Sequence, residues 1–135
     1  MADFMETSPS ENGIVAALMG ELGALLEKFL ETGVRDSIDL HRIPLTDQDL
    51  LELEQQLGTG EITISFDALG ESRITETAHA GLWRVEHRNP SGDLIAHLVE
   101  VGDVPSIVSA GRSEMRAAAA AMTNDHSSSG GPANA

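Results

Sequence analysis

Residues Leu50 to Asp67 read LLELEQQLGTGEITISFD, and the hydrophobic period changes inside this stretch. Leu50, Leu53 and Leu57 recur at spacings of three and four, which places them on one helical face, and Leu51 broadens the stripe. Gly58 and Gly60 stop that helix. Beyond them Ile62, Ile64 and Phe66 alternate with Thr63, Ser65 and Asp67. A period of two marks a strand with one buried face. The chain thus passes from amphipathic helix to half-buried strand across one glycine-rich turn.

Working upstream, Thr46-Asp47-Gln48-Asp49 reads as a capping box with Thr46 as the cap. Before it, Ile38-Asp39-Leu40-His41-Arg42-Ile43-Pro44-Leu45 alternates briefly and meets a proline. It is read as an extended connector or a short edge strand. Ser8-Pro9-Ser10-Glu11 supplies a cap, a proline for the first helical position and an acid three residues after the cap. Val15, Leu18, Leu22, Leu25 and Phe29 then share one face, widened by Leu26 and Leu30. Gly33 stops this helix, which is predicted over roughly residues 9–32.

Downstream, β-branched stretches run from Arg73 to Thr77 and from Leu82 to Arg88, with a bend or bulge expected at Ala80-Gly81. Asn89-Pro90-Ser91-Gly92 is turn chemistry and leads into a strand over Asp93–Val101. Asp103, Val104 and Pro105 open a last helix that continues through the alanines at 117–121. From Thr123 the composition is polar and small, with nothing to bury, so a disordered tail is expected. The predicted architecture is α+β: two N-terminal helices, a four-stranded antiparallel meander sheet and a C-terminal helix. The segments are a disordered N-terminus over 1–8, one domain over 9–122 and a disordered tail over 123–135.

Composition bounds the function. Of the 135 residues, twenty-two are Asp or Glu and eight are Lys or Arg, a formal net charge of -14. Phosphate binding needs a basic stripe, so nucleic acid is not an expected partner, and an anionic membrane surface is equally disfavoured. An apolar fraction of 41% still allows a core. No cysteine is present, which removes disulfides, thiolate metal sites and thiol catalysis. The N-terminal residues are acidic where a secretory signal is basic, and no apolar run approaches the ~20 residues of a membrane span. A cytoplasmic location without membrane insertion is expected.

His41, His79, His87 and His97 precede the tail, and none has the spacing of a metal motif. His87 and His97 flank the predicted turn and could approach across the hairpin, but a one-residue slip in register reverses every side chain. Trp83-Arg84-Val85-Glu86-His87-Arg88 holds the single tryptophan and two arginines. Trp83, Arg84, Glu86, His87, Arg88 and His97 therefore form a candidate protein-binding surface. The competing reading puts Trp83 and Val85 in the core and pairs the arginines with Glu86, Asp93 or Glu100 across strands. Asp47, Asp49, Glu52 and Glu54 form an acidic helix surface without the spacing of a calcium loop. Ser72, Ser91, Ser106 and Ser109 lie outside any GxSxG context, and Gly58-Thr59-Gly60 lacks the lysine of a phosphate loop. No catalytic residue, cofactor site or metal site follows, and an enzyme is not expected.

One resemblance is carried by an ordered series. It comprises Thr75-Glu76-Thr77, Gly81-Leu82-Trp83-Arg84-Val85, Gly92-Asp93-Leu94-Ile95 and Glu100-Val101-Gly102-Asp103-Val104-Pro105. Upstream pieces are Ile38-Asp39-Leu40, Ile43-Pro44-Leu45-Thr46 and Leu57-Gly58-Thr59-Gly60-Glu61. Together these resemble the C-terminal region of the HupH/HyaF hydrogenase expression and formation proteins, over roughly residues 12–110. The resemblance implies an accessory or chaperone-like role in maturing nickel–iron uptake hydrogenase. The implied partner is the small-subunit precursor before its export. No cofactor and no catalytic residue carries over. The chain lacks room for the additional N-terminal region of longer members.

Other readings stay open from the residues alone. They are a metal-handling module of histidines and carboxylates, a small hydrolase or isomerase, and a self-associating domain that forms a homodimer. Charge is unevenly placed. Residues 1–60 hold twelve acids and three bases, a balance of -9, while residues 61–135 hold ten and five, a balance of -5. An acidic helical half and a mixed-charge hairpin are the two surfaces expected to be available to a protein client.

Overall fold

A computed structural model describes residues 13–67 and 69–134, with side chains described up to residue 124. The expected disorder of residues 1–8, and the capping signal at Ser8, lie outside the described residues. The chain divides into two compact units at Pro105/Ser106.

The first unit is α+β. Helix α1 spans Gly13–Thr32 and strand β1 spans Asp36–Asp39; a short 3-10 turn follows over Leu40–Arg42. Helix α2 spans Asp47–Leu57. Four further strands follow: β2 (Thr63–Asp67), β3 (Glu71–Glu76), β4 (Leu82–Arg88) and β5 (Leu94–Val101). The sheet order is β1-β5-β4-β3-β2, antiparallel throughout. The four strands expected as a meander are present as β2 to β5. The sheet has five strands because the start of the stretch read as an extended connector or short edge strand is an edge strand: Ile38 and Asp39 belong to β1, which pairs with β5. Asp36-Ser37-Ile38-Asp39 holds one apolar residue, so its pairing with β5 comes from tertiary context rather than local pattern.

The register gives the sheet two unlike faces. Ile64, Ile74, Val85, Leu98 and Asp39 stand in one row across all five strands, apolar until its last member. On the other face the adjacent rows are Thr63, Thr75, Arg84, Val99, Ile38 and Ser65, Arg73, Glu86, His97. That face changes from polar at β2 and β3 to apolar at β5 and β1. Both helices pack over its apolar end. Val15, Leu18, Leu22, Leu53 and Leu57 bury there with Ile38, Leu40, Leu82, Val99 and Val101. Each such side chain removed from water contributes about 1.5–3 kcal/mol. The stripe of α1 is narrower than expected, since Leu30 is 75% exposed. Leu51 likewise faces solvent at 49%.

The capping box of α2 forms as read: Thr46 Oγ1 accepts from Asp49 N at 3.0 Å, and Asp49 Oδ2 accepts from Thr46 N at 3.1 Å. At the other end, Gly58 closes the helix at φ 69°. The segment Thr77–His79 takes up the last carbonyls of α2. Ala78 N donates to Leu57 O at 2.8 Å, and His79 Nε2 donates to Gln56 O at 3.0 Å. Thr77 is buried, and its hydroxyl accepts from His79 N at 3.0 Å while lying 2.9 Å from Leu82 O. This ties the β3–β4 turn together around Gly81, whose φ of +92° strains any residue that carries a side chain.

The segment expected to open the last helix is instead fastened to the sheet unit. Arg35 donates to Asp103 Oδ1 at 2.8 Å and to Val104 O, and its guanidinium lies 5.9 Å from the Phe29 ring. Pro105 is fully buried. In the second unit a 3-10 turn covers Ser106–Val108 and helix α3 spans Arg112–Asn134. Glu114 accepts from Gly111 N at 2.8 Å at its start. The backbone stays helical past residue 122, the boundary set by composition.

Replacing the Thr77 hydroxyl with a methyl removes the acceptor of His79 N and one of the two donors to Leu82 O, which keeps the Thr77 N–H. Thr77→Val is expected to lower unfolding stability by about 0.5–1.5 kcal/mol in urea titration, with the circular dichroism of the folded state unchanged.

Candidate functional site

Register separates the residues singled out on the hairpin. Trp83 and His87 point to one face of the sheet; Arg84, Glu86 and His97 point to the other, because Glu86 pairs with His97 while His87 pairs with Ala96. Arg88 stands past a shift in register at His87/Arg88 and shares a small depression with Glu71, Arg73 and Glu86. The six residues therefore do not form one surface. His87 and His97 cannot converge on one ion, since they lie on opposite faces. Among the described residues no group of three or more His, Asp or Glu side chains could hold a metal ion.

On the Trp83 face, two interactions use polar groups. Trp83 is buried and Nε1 donates to Gly102 O at 3.1 Å, closing the end of β4 onto the end of β5. Ser72 Oγ and His87 Nδ1 form a short hydrogen bond between paired positions of β3 and β4. A serine–histidine pair suggests nucleophilic chemistry only when a third group orients the base. Among the described residues no carboxylate is hydrogen-bonded to His87, and Ser72 is buried. The pair joins two strands.

The opposite face holds a cavity of about 240 Å³ lined by Leu40, His41, Ile43, Leu45, Leu50, Leu94 and His97. Each wall has a local cause. Asp39 Oδ1 accepts from His41 N at 3.0 Å and caps the 3-10 turn, which sets Leu40 and His41. Pro44 breaks the chain before the α2 cap, so Ile43 and Leu45 are left on the connecting segment. Leu50 comes from the first turns of α2, and Leu94 and His97 from the start of β5. The walls are mainly apolar, with two imidazoles in edge-to-face contact and ring centroids 6.3 Å apart.

His97 is 2% exposed, and its Nε2 has no hydrogen-bond partner among the described residues. Glu86 Oε2 stands 4.0 Å away, beyond hydrogen-bond reach. Burial holds the His97 pKa below the ordinary value of 6.5, and Arg84 and His41 push the same way. Glu86 and Glu54 oppose them. His97 is thus a neutral, buried imidazole in an apolar wall. Periodicity missed this site because its lining comes from a turn, a connector, a helix start and a strand start. The legible signal was the alternation His97, Val99, Val101, which puts His97 on the buried face of β5.

The lowered pKa fixes a pH dependence. The unfolded chain binds a proton at His97 more readily than the folded one, so its contribution to stability is whole above pH 6.5 and falls as pH drops below it. Urea unfolding at neutral and mildly acidic pH is expected to show a smaller acid-induced loss for His97→Leu than for the parent chain.

Comparison with known proteins places these elements. Residues 14–127 match the family model described as HupH hydrogenase expression protein, C-terminal conserved region. The hydrogenase expression/formation protein HupH of Rhodobacter capsulatus is 35% identical over 109 residues, which cover 79% of this chain and 39% of that protein. HoxQ of Azotobacter vinelandii, named a hydrogenase expression/formation protein, is 30% identical over 83% of this chain and 43% of its own length. The chain thus spans about two-fifths of these relatives. In the solved structures, the hydrogenase expression protein HupH from Thiobacillus denitrificans superposes with a TM-score of 0.74 at 36% identity. That match covers 86% of this chain and 97% of the solved one. With its sheet, its helices and most of its described residues accounted for by one model, the chain belongs to the HupH hydrogenase expression protein family and corresponds to that family's C-terminal conserved region.

Proposed function

We propose that this chain is an accessory, chaperone-like factor in nickel–iron uptake hydrogenase maturation that binds the immature small subunit in the cytoplasm before export and catalyses no reaction of its own. The role in hydrogenase maturation follows from the family and from relatives named hydrogenase expression/formation proteins. The observation that carries the reading is the match of that conserved region across residues 14–127.

Two physical features support a binding role. The chain carries a net charge of -14, which attracts a basic client segment and draws it in at long range. The cavity on the helix side of the sheet offers apolar surface beside a buried imidazole, a lining suited to holding a side chain rather than to activating a nucleophile. Among the described residues no helix is long and apolar enough to cross a membrane. The metal-handling alternative draws no support from the histidine pair it invoked, because His87 and His97 occupy opposite faces.

The test is co-purification of the full, tag-free chain with a hydrogenase small-subunit precursor, beside a form lacking its signal segment. Capture of the precursor, weakening as salt rises, is the expected result, because exposed charges more than ~10 Å apart are largely screened at 0.1 M ionic strength. Failure to capture the precursor at low salt would exclude this client.

A further inference from the structure

The cavity at the start of β5 has features that a packing defect does not need. Two distant stretches of chain, residues 40–50 and 94–97, meet around it, and its two imidazoles, His41 and His97, stand edge to face with centroids 6.3 Å apart. Apart from His41 and His97, the lining is leucine and isoleucine.

The charges around it have one dominant sign. Asp39 precedes the 3-10 turn, Asp47 and Asp49 occupy the first turn of α2, and Asp93 precedes Leu94. Glu54 and Glu86 act electrostatically on His97 itself. Against them stand Arg84, which also acts on His97, and Arg42, which is already ion-paired with Asp39 at 3.6 Å. An apolar socket in an acidic surround selects an apolar side chain flanked by cations.

We infer that the Leu40–Leu50–His97 cavity is the docking socket for a single apolar side chain of a partner polypeptide, on a segment whose neighbouring residues are lysine or arginine. The inference deepens the client-binding reading and rests on it only in taking the partner to be a protein. The apolar side chain fills the space between Ile43, Leu45, Leu50 and Leu94. The rings of His41 and His97 close the polar side of the socket. The flanking cations meet the α2 carboxylates. A second copy of this chain fits poorly, because two surfaces of the same acidic character repel.

Three short synthetic peptides test this on the full chain. One carries a leucine between arginines, one replaces that leucine with alanine, and one replaces the arginines with glutamates. Calorimetric titration is expected to show binding of the first, weakened at least about tenfold in the second and absent in the third. Imidazole proton resonances of His41 and His97 are expected to shift on addition of the first peptide, and those of His87 to stay in place. Leu45→Trp, which fills the cavity, is expected to abolish binding. Should that variant not fold by circular dichroism, Asp47→Asn gives a folded surface variant with weakened binding. Equal binding of the leucine and alanine peptides, or unmoved His41 and His97 resonances, would overturn the socket. The two readings fail separately. Precursor capture unaffected by Leu45→Trp removes the socket and leaves the client, whereas socket binding without precursor capture removes the client and leaves the socket.

Discussion

A buried hydroxyl governs the arrangement of the sheet unit. Thr77 gathers the β3–β4 turn through His79 N and Leu82 O, and the residues beside it take up the terminal carbonyls of α2. A helix end left on the sheet without these partners would bury unsatisfied acceptors, each costing on the order of 1–3 kcal/mol. The turn therefore sets where α2 ends, and the capping box at Thr46 sets where it begins. With both ends fixed, Leu53 and Leu57 reach the core while Leu50 is left at the cavity. The site depends on a turn on the far side of the helix.

Much of this was legible in the residues. The change of period between Leu57 and Ile62 marks the passage from α2 to β2, and the box at Thr46–Asp49 forms as its spacing demands. Both are local effects, decided within a few residues. β1 was not legible as a certain strand, because four residues with one apolar member carry no local preference and are held by β5. The facing of His87 and His97 was equally out of reach. It turns on a register set by the whole sheet, and alternation alone cannot say which pair stands opposite. The cavity lay further still from the sequence, since each of its walls belongs to a different element.

The residues that carry the family resemblance do structural work. Gly81 allows the turn, Trp83 closes onto Gly102, and Asp103 with Val104 engages Arg35. Glu76 accepts from Glu61 N at 3.1 Å and from Gly60 N through its own carbonyl at 2.7 Å, fastening the turn that opens β2. These contacts explain how a series without a chemical motif identifies a fold. The cavity draws on some resemblance residues, Leu40 and Leu94 among them, but its distinctive groups are His41 and His97, which the series does not include.

Trp83 has a practical consequence. The chain contains one tryptophan and no tyrosine, and the indole is buried with its N–H on Gly102 O. Its emission therefore reports the closure of β4 onto β5 at the end of the hairpin remote from His97. Loss of the sheet shifts it toward the spectrum of indole in water. The molecule carries an internal gauge of its own unfolding that needs no label.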